Sequence, residues 1–133
     1  SNHFNIILED DVVIDYKKFN KLLYQIRFSR RFNEYDLIYF GTGCHQPVDN
    51  RKKGIIEPDH TLHKSKCADS YIISKQAAKK ITDDYKMVKP YLPFDWDMSL
   101  RIIRLDLKVC WLEPGITVQG SQSGKFPSMI QNH

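Results

Sequence analysis

Short apolar runs alternate with amphipathic stretches along this chain, and that alternation predicts an α/β fold. The runs Phe4-Asn5-Ile6-Ile7-Leu8, Asp36-Leu37-Ile38-Tyr39-Phe40, Ser70-Tyr71-Ile72-Ile73 and Val109-Cys110-Trp111-Leu112 have strand length and are rich in β-branched and aromatic residues. Between them, apolar residues recur at helical spacing. No repeat and no clear interdomain linker divides the 133 residues, so one domain spanning 1–133 is expected.

The elements follow in order. Phe4 to Leu8 reads as a short buried strand running into Glu9-Asp10-Asp11. A helix follows, with Asp15 able to cap it and Phe19, Leu22, Leu23 and Ile26 on its buried face. Lys17, Lys18, Lys21 and Arg31 take the opposite face. The strand around Ile38 closes at Gly41-Thr42-Gly43. Residues 42 to 67 form a long polar stretch with Pro47, Gly54 and Pro58, a length usually reserved for functional or mobile loops. Ser74 can cap a helix carrying Ala77, Ala78, Ile81 and Tyr85. A turn around Pro90 and Pro93 leads to Asp95 at a helix start, where Asp is a good N-cap. That helix carries two apolar stripes, Trp96, Leu100, Ile103 and Leu107 on one and Met98, Ile102 and Leu105 on the other, which predicts burial on more than one side. The strand Val109 to Leu112 stops at Glu113-Pro114-Gly115. Residues 116 to 133 form a polar tail.

Composition narrows the class. With 41% hydrophobic and 27% charged residues the chain can pack a core, which excludes wholesale disorder. The net charge of +4 is too small to indicate a nucleic-acid binder. It suits a phosphate-bearing substrate, an anionic membrane or simple solubility. No apolar run is long enough to cross a bilayer, and neither a transmembrane segment nor a signal peptide is expected. Of the three cysteines, Cys110 lies in an apolar run and reads as a buried thiol; Cys44 and Cys67 are able to close the central stretch as a disulfide. No CxxC pair exists, so a structural zinc site is not expected.

Two motifs carry candidate chemistry. Glu9-Asp10-Asp11 puts three carboxylates directly after an apolar strand, where their repulsion asks for a neutralising partner. A hard divalent cation supplies one and keeps open positions for phosphate oxygens; a solvated strand end is the alternative. In Pro93-Phe94-Asp95-Trp96-Asp97, a carboxylate can take a proton from a sugar hydroxyl while the indole offers a stacking face. Here the alternative is a helix cap. Gln119 and Ser121 offer hydrogen bonds to a sugar or pyrophosphate. His60 and His63 beside Asp59, His45 beside Cys44, and Arg51-Lys52-Lys53 read as solvated loop residues.

In combination and in this order, Leu8-Glu9-Asp10-Asp11-Val12, the Asp36-to-Gly41 strand, Ser70-Tyr71-Ile72-Ile73-Ser74-Lys75-Gln76-Ala77-Ala78-Lys79-Lys80, Pro93-Phe94-Asp95, and Glu113-Pro114 with Gln119 and Ser121 resemble glycosyltransferase family 25. That family includes lipooligosaccharide galactosyltransferases and collagen β-galactosyltransferases. The resemblance spans nearly the whole chain. It implies a GT-A-like (Rossmann-like) fold and a metal-dependent, inverting hexosyltransferase. The hexose, galactose in the best known members, would pass from a nucleotide-sugar donor such as UDP-galactose to a glycan or hydroxylysine-type acceptor. Mn²⁺ or Mg²⁺ would sit on Asp10 and Asp11. Glu9, Asp10, Trp96, Gln119 and Ser121 would contact substrate, and Asp95 would be the catalytic base, with Asp97 as its substitute.

The setting implied is cytoplasmic or peripheral to a membrane for lipopolysaccharide biosynthesis, and the endoplasmic reticulum lumen for the collagen type. In GT-A enzymes a nucleoside-binding half precedes the acidic motif, which here begins at residue 9. The expectation is therefore that most of that half is missing from these residues, leaving an apolar edge or face and a tendency to self-associate. Two other readings stay open: a noncatalytic binding or assembly domain, and another metal-dependent nucleotide hydrolase.

Overall fold

The computed structural model describes residues 3–42, 54–58 and 67–121. Within them the order is β1 (Phe4–Leu8), β2 (Val12–Ile14), α1 (Tyr16–Phe28), β3 (Leu37–Tyr39), β4 (Gly54–Ile56), β5 (Ser70–Ser74), α2 (Lys75–Met87), α3 (Phe94–Arg104), β6 (Val109–Glu113) and β7 (Thr117–Gln119). A 3₁₀ turn, Arg30–Phe32, links α1 to β3. The expected α/β class is borne out at the level of a mixed sheet with three helices.

Five strands form one sheet in the order β1-β5-β3-β6-β4. Among the described strands of this sheet only β3 and β6 pair in parallel; β5 is antiparallel to both β1 and β3, and β4 is antiparallel to β6. It follows that β1, β3 and β6 all point one way. Their carboxyl ends, and the start of β5, share one edge of the sheet.

Period-2 alternation in β3 builds both cores. Leu37 and Tyr39 face one way, with Tyr71 and Ile73, into a cluster closed by Ala77 and Ile81 of α2 and Met98 and Ile102 of α3. Ile38 and Phe40 face the other way, with Ile72 and Cys110, into a cluster closed by Leu22 of α1 and Phe32. Helices thus cover both sheet faces in three layers. Local caps set the helix starts as expected: the Asp15 carboxylate accepts from the Lys18 N–H at 3.1 Å, and the Ser74 hydroxyl accepts from the Ala77 N–H at 3.1 Å. Among the described residues no helix is long and apolar enough to cross a membrane.

Four expectations change. β1 is not buried: it is an edge strand, and Ile6, Ile7 and Leu8 are each about 40% exposed. α3 is buried on one side only; Met98 and Ile102 are covered, whereas Trp96 is 47% and Ile103 41% exposed. Asp95 lies inside the first turn of α3, and Pro93 occupies the N-cap without a side-chain hydrogen bond. Finally, the polar stretch contains β4, which extends the sheet beyond β6, and the tail contains β7, which pairs with β2 as a separate ribbon.

Candidate active site at the carboxyl edge of the sheet

β1 ends at Leu8 and the acidic run turns over the sheet edge. The Glu9 N–H donates to the Asp69 carbonyl at 2.8 Å, and the Val12 N–H donates to the Glu9 carbonyl at 3.3 Å. The chain then enters β2, which pairs with β7 so that Val12 faces Gln119. That register brings the acidic run after β1 against the end of β7. The Gln119 side-chain amide donates to Glu9 Oε2 at 2.7 Å. The Ser121 N–H and hydroxyl both donate to Asp11 Oδ2, at 3.2 and 2.6 Å. Asp10 lies between these two clamped carboxylates and is exposed.

A buried polar knot supports this rim. The Thr42 N–H and hydroxyl donate to the Thr117 carbonyl at 3.0 and 2.9 Å, and the Ser70 and Thr117 hydroxyls lie 2.5 Å apart. Asp69 is fully buried beside them, its Oδ1 accepting from the Ser70 N–H at 2.9 Å. Gly41 makes room for it, since a Cβ there would lie 2.4 Å from Asp69 Oδ1. Sequence reasoning missed Asp69. Nothing in its spacing separates it from an ordinary loop carboxylate; its burial follows from the absent side chain at Gly41.

α3 brings Asp95 to the same edge. The helix ends at Arg104 and the chain reverses into β6, so the first turn of α3 lies toward the end where β6 finishes. Electrostatics agree. Burial, followed by the nearby charges of Tyr71, Asp95 and Asp69, pushes the Tyr39 phenol well above its ordinary range. Burial and then Glu9 raise the Tyr71 phenol. The two rings lie 5.4 Å apart in the core; Tyr39 feels Asp95 and Asp69, and Tyr71 feels Glu9. Asp95 is half-buried, and Trp96 beside it is open to solvent.

Asp97 points elsewhere. It is 3% exposed, and its Oδ2 accepts from the Tyr85 hydroxyl at 2.8 Å and Arg101 Nε at 2.7 Å. It thereby joins α3 to α2 through that oxygen.

Among the described residues, no group of three His, Cys, Asp or Glu side chains is arranged to hold a metal ion. Asp10 and Asp11 still fit the way Mg²⁺ or Mn²⁺ is commonly held, through one or two carboxylates, with substrate phosphates and water completing the shell. Cys110 is free and buried; burial, then the charges of Glu57 and Glu34, push its thiol up to about 12. Cys67 is disulfide-bonded. Its expected partner Cys44 lies outside the described residues, as do His45, Arg51-Lys52-Lys53, Asp59, His60 and His63. No model of a known protein family matches the chain, and no curated protein matches it.

Proposed function

We propose that this domain is the metal-motif and acceptor side of a GT-A-like, sugar-nucleotide-dependent glycosyltransferase, with UDP-galactose as the expected donor. The observation that carries the reading is the clamp of Glu9 and Asp11 by Gln119 and Ser121. Residues far apart in sequence, chosen for their chemistry, meet at the carboxyl ends of β1, β3 and β6, where α/β sheets commonly bind ligands.

In this reading Asp10 and Asp11 would hold the divalent cation that neutralises the donor diphosphate. When bound, that cation would offset the charge growing on the leaving group. Gln119 and Ser121 keep the acidic run in one conformation and offer polar contacts to the donor. Asp95 takes the proton of the acceptor hydroxyl as its oxygen attacks the anomeric carbon opposite the departing diphosphate, which inverts the configuration. Trp96 has the exposed face needed to stack on the acceptor sugar. Asp97 anchors α3 and so aims Asp95; its hydrogen bonds to Arg101 and Tyr85 favour that role over the base.

The test is thermal. Mn²⁺ should raise the melting temperature, most with UDP present, since a ligand at about 100 times its Kd stabilises by roughly 2.7 kcal/mol. The Asp10→Asn, Asp11→Asn double variant should lose the shift. An undiminished response in that variant removes the acidic run from the metal site.

The open apolar edge of β1 favours one other reading, an assembly module that pairs through that strand.

A further inference from the structure

α1 has a second face that the proposed active site does not use. Six cations, Lys17, Lys18, Lys21, Arg27, Arg30 and Arg31, lie between Asp15 and Glu34 with no carboxylate among them. Lys18 is paired with Asp15 at 3.6 Å. Among the described residues no ion pair engages the other five. Lys17, Lys21, Tyr24 and Phe28 fall at i, i+4, i+7 and i+11, one stripe of the helix surface opposite buried Leu22.

The aromatic members of that stripe are open to solvent. Tyr24 is 66% and Phe28 63% exposed. Their rings lie 4.6 Å apart, and the Arg27 guanidinium sits 5.3 Å from the Phe28 ring. Beside the stripe runs a cleft of about 480 Å³, with Lys18, Lys21 and Arg31 at its rim and Leu22, Phe32 and Leu112 among its apolar lining.

We propose that this face of α1 docks on an anionic lipid surface. Cations alone would suit any polyanion. The exposed ring pair decides for lipid, because aromatic side chains favour the headgroup region, where one side is wet and the other apolar. Lys17, Lys21 and Arg27 would meet lipid phosphates while Tyr24 and Phe28 enter the boundary. The inference does not rest on the glycosyltransferase reading.

Co-sedimentation with vesicles tests it. The chain should bind vesicles of phosphatidylcholine containing phosphatidylserine and should not bind pure phosphatidylcholine. Each cation near the surface is worth about fivefold in affinity, so the Lys17→Gln, Lys21→Gln, Arg27→Gln variant should bind roughly 100-fold more weakly. Tyr24→Ser with Phe28→Ser should also weaken vesicle binding while leaving retention on heparin unchanged. All five changes lie on the solvent side of α1, and circular dichroism would verify the fold. Equal binding to neutral vesicles, or no binding to anionic ones, overturns the proposal. Vesicle binding that ignores the loss of both rings overturns it in favour of a general polyanion surface.

Discussion

Arg101 is 2% exposed, yet each of its three nitrogens donates a hydrogen bond. Nε meets Asp97, Nη1 meets Asp84 at 2.5 Å, Nη2 donates to the Val88 carbonyl at 2.7 Å, and the guanidinium stacks 3.6 Å from the Tyr85 ring centroid. Arg104 adds a second contact to Asp84. Removing this one side chain strands the buried Asp97, so Arg101→Met should cost about 3–5 kcal/mol by urea denaturation. Adding Asp97→Leu should recover part of the loss. The pH dependence has two limits. Desolvation raises the Asp84 carboxyl, but hydrogen bonds from Arg104 and Arg101 outweigh it and hold the group below 3.8. Its contribution is therefore present above that value and lost as pH falls through the lower folded value. Burial, then the Asp97 hydrogen bond, raises the Tyr85 phenol from 10.0 to about 12. That contribution is full below 10.0 and lost as pH rises toward 12. In the Arg101→Met variant the acid limb should shrink but not vanish, because Arg104 still holds Asp84, and the alkaline limb should persist, because Arg101 lowers the Tyr85 phenol while burial and Asp97 raise it. Asp95, two residues before Asp97 on the same helix, makes a cleaner chemical probe. Asp95→Asn keeps size and removes basicity, so under the proposed function sugar transfer should fall about 10²-fold or more with the melting temperature little changed. Equal turnover would leave Asp95 as a helix-start carboxylate and no more.

At the scale of elements, the β2–β7 ribbon holds the acidic run in place. Three residue pairs hold the ribbon itself, and the Asp11–Ser121 contact locks its end. Hydrogen bonds to charged groups contribute about 1.5–3 kcal/mol, so Ser121→Ala should lose up to that amount and should weaken Mn²⁺–UDP binding as well. Gln119→Ala, at a contact open to solvent, should do less. A calorimetric titration in which both variants match the parent would separate the ribbon from ligand binding. The ribbon also marks where sequence reading stops. Asp15 and Ser74 were legible as caps because a cap is decided within one helical turn. The strand at Leu37 to Phe40 was legible as an apolar run of strand length, but its burial was not: the similar run Phe4–Leu8 lies at an exposed edge, and only the strand order decides between them. A three-residue strand such as Val12–Ile14 carries no such local signal; it exists because Thr117–Gln119, about a hundred residues on, supplies its partner. The side of α3 left exposed was hidden for the same reason. Met98, Ile102, Trp96 and Ile103 are all apolar, and only the position of the sheet decides which pair is covered. In the candidate site, residue types were readable, but the joining of Glu9 to Gln119 and the burial of Asp69 against Gly41 belong to tertiary structure.

At the scale of the whole molecule, the two edges of the sheet differ. β4 is a short edge of three residues that begins at a glycine, a form that discourages further pairing. β1 has five residues with no charge, proline or bulge, and among the described residues it pairs only with β5. Its pattern is apolar on both faces: Ile6 lies opposite Ile72 and Ile7 opposite Tyr71, residues of the two separate cores. Strands apolar on both faces usually sit inside a sheet, with neighbours and covering layers on each side. Left at an edge among the described strands, β1 offers backbone groups for pairing flanked by Ile6, Ile7 and Leu8. The chain should therefore associate as concentration rises, and the simplest closed form is an antiparallel β1–β1 pair about a two-fold axis. Sedimentation equilibrium should show a monomer–dimer equilibrium. Ile7→Lys should abolish it with little change in melting temperature, because the side chain is already 39% exposed. A parent chain that stays monomeric at high concentration, or a dimer that survives Ile7→Lys, would show that β1 is not the pairing edge. Survival of the dimer would also remove the single observation that favours an assembly role over catalysis.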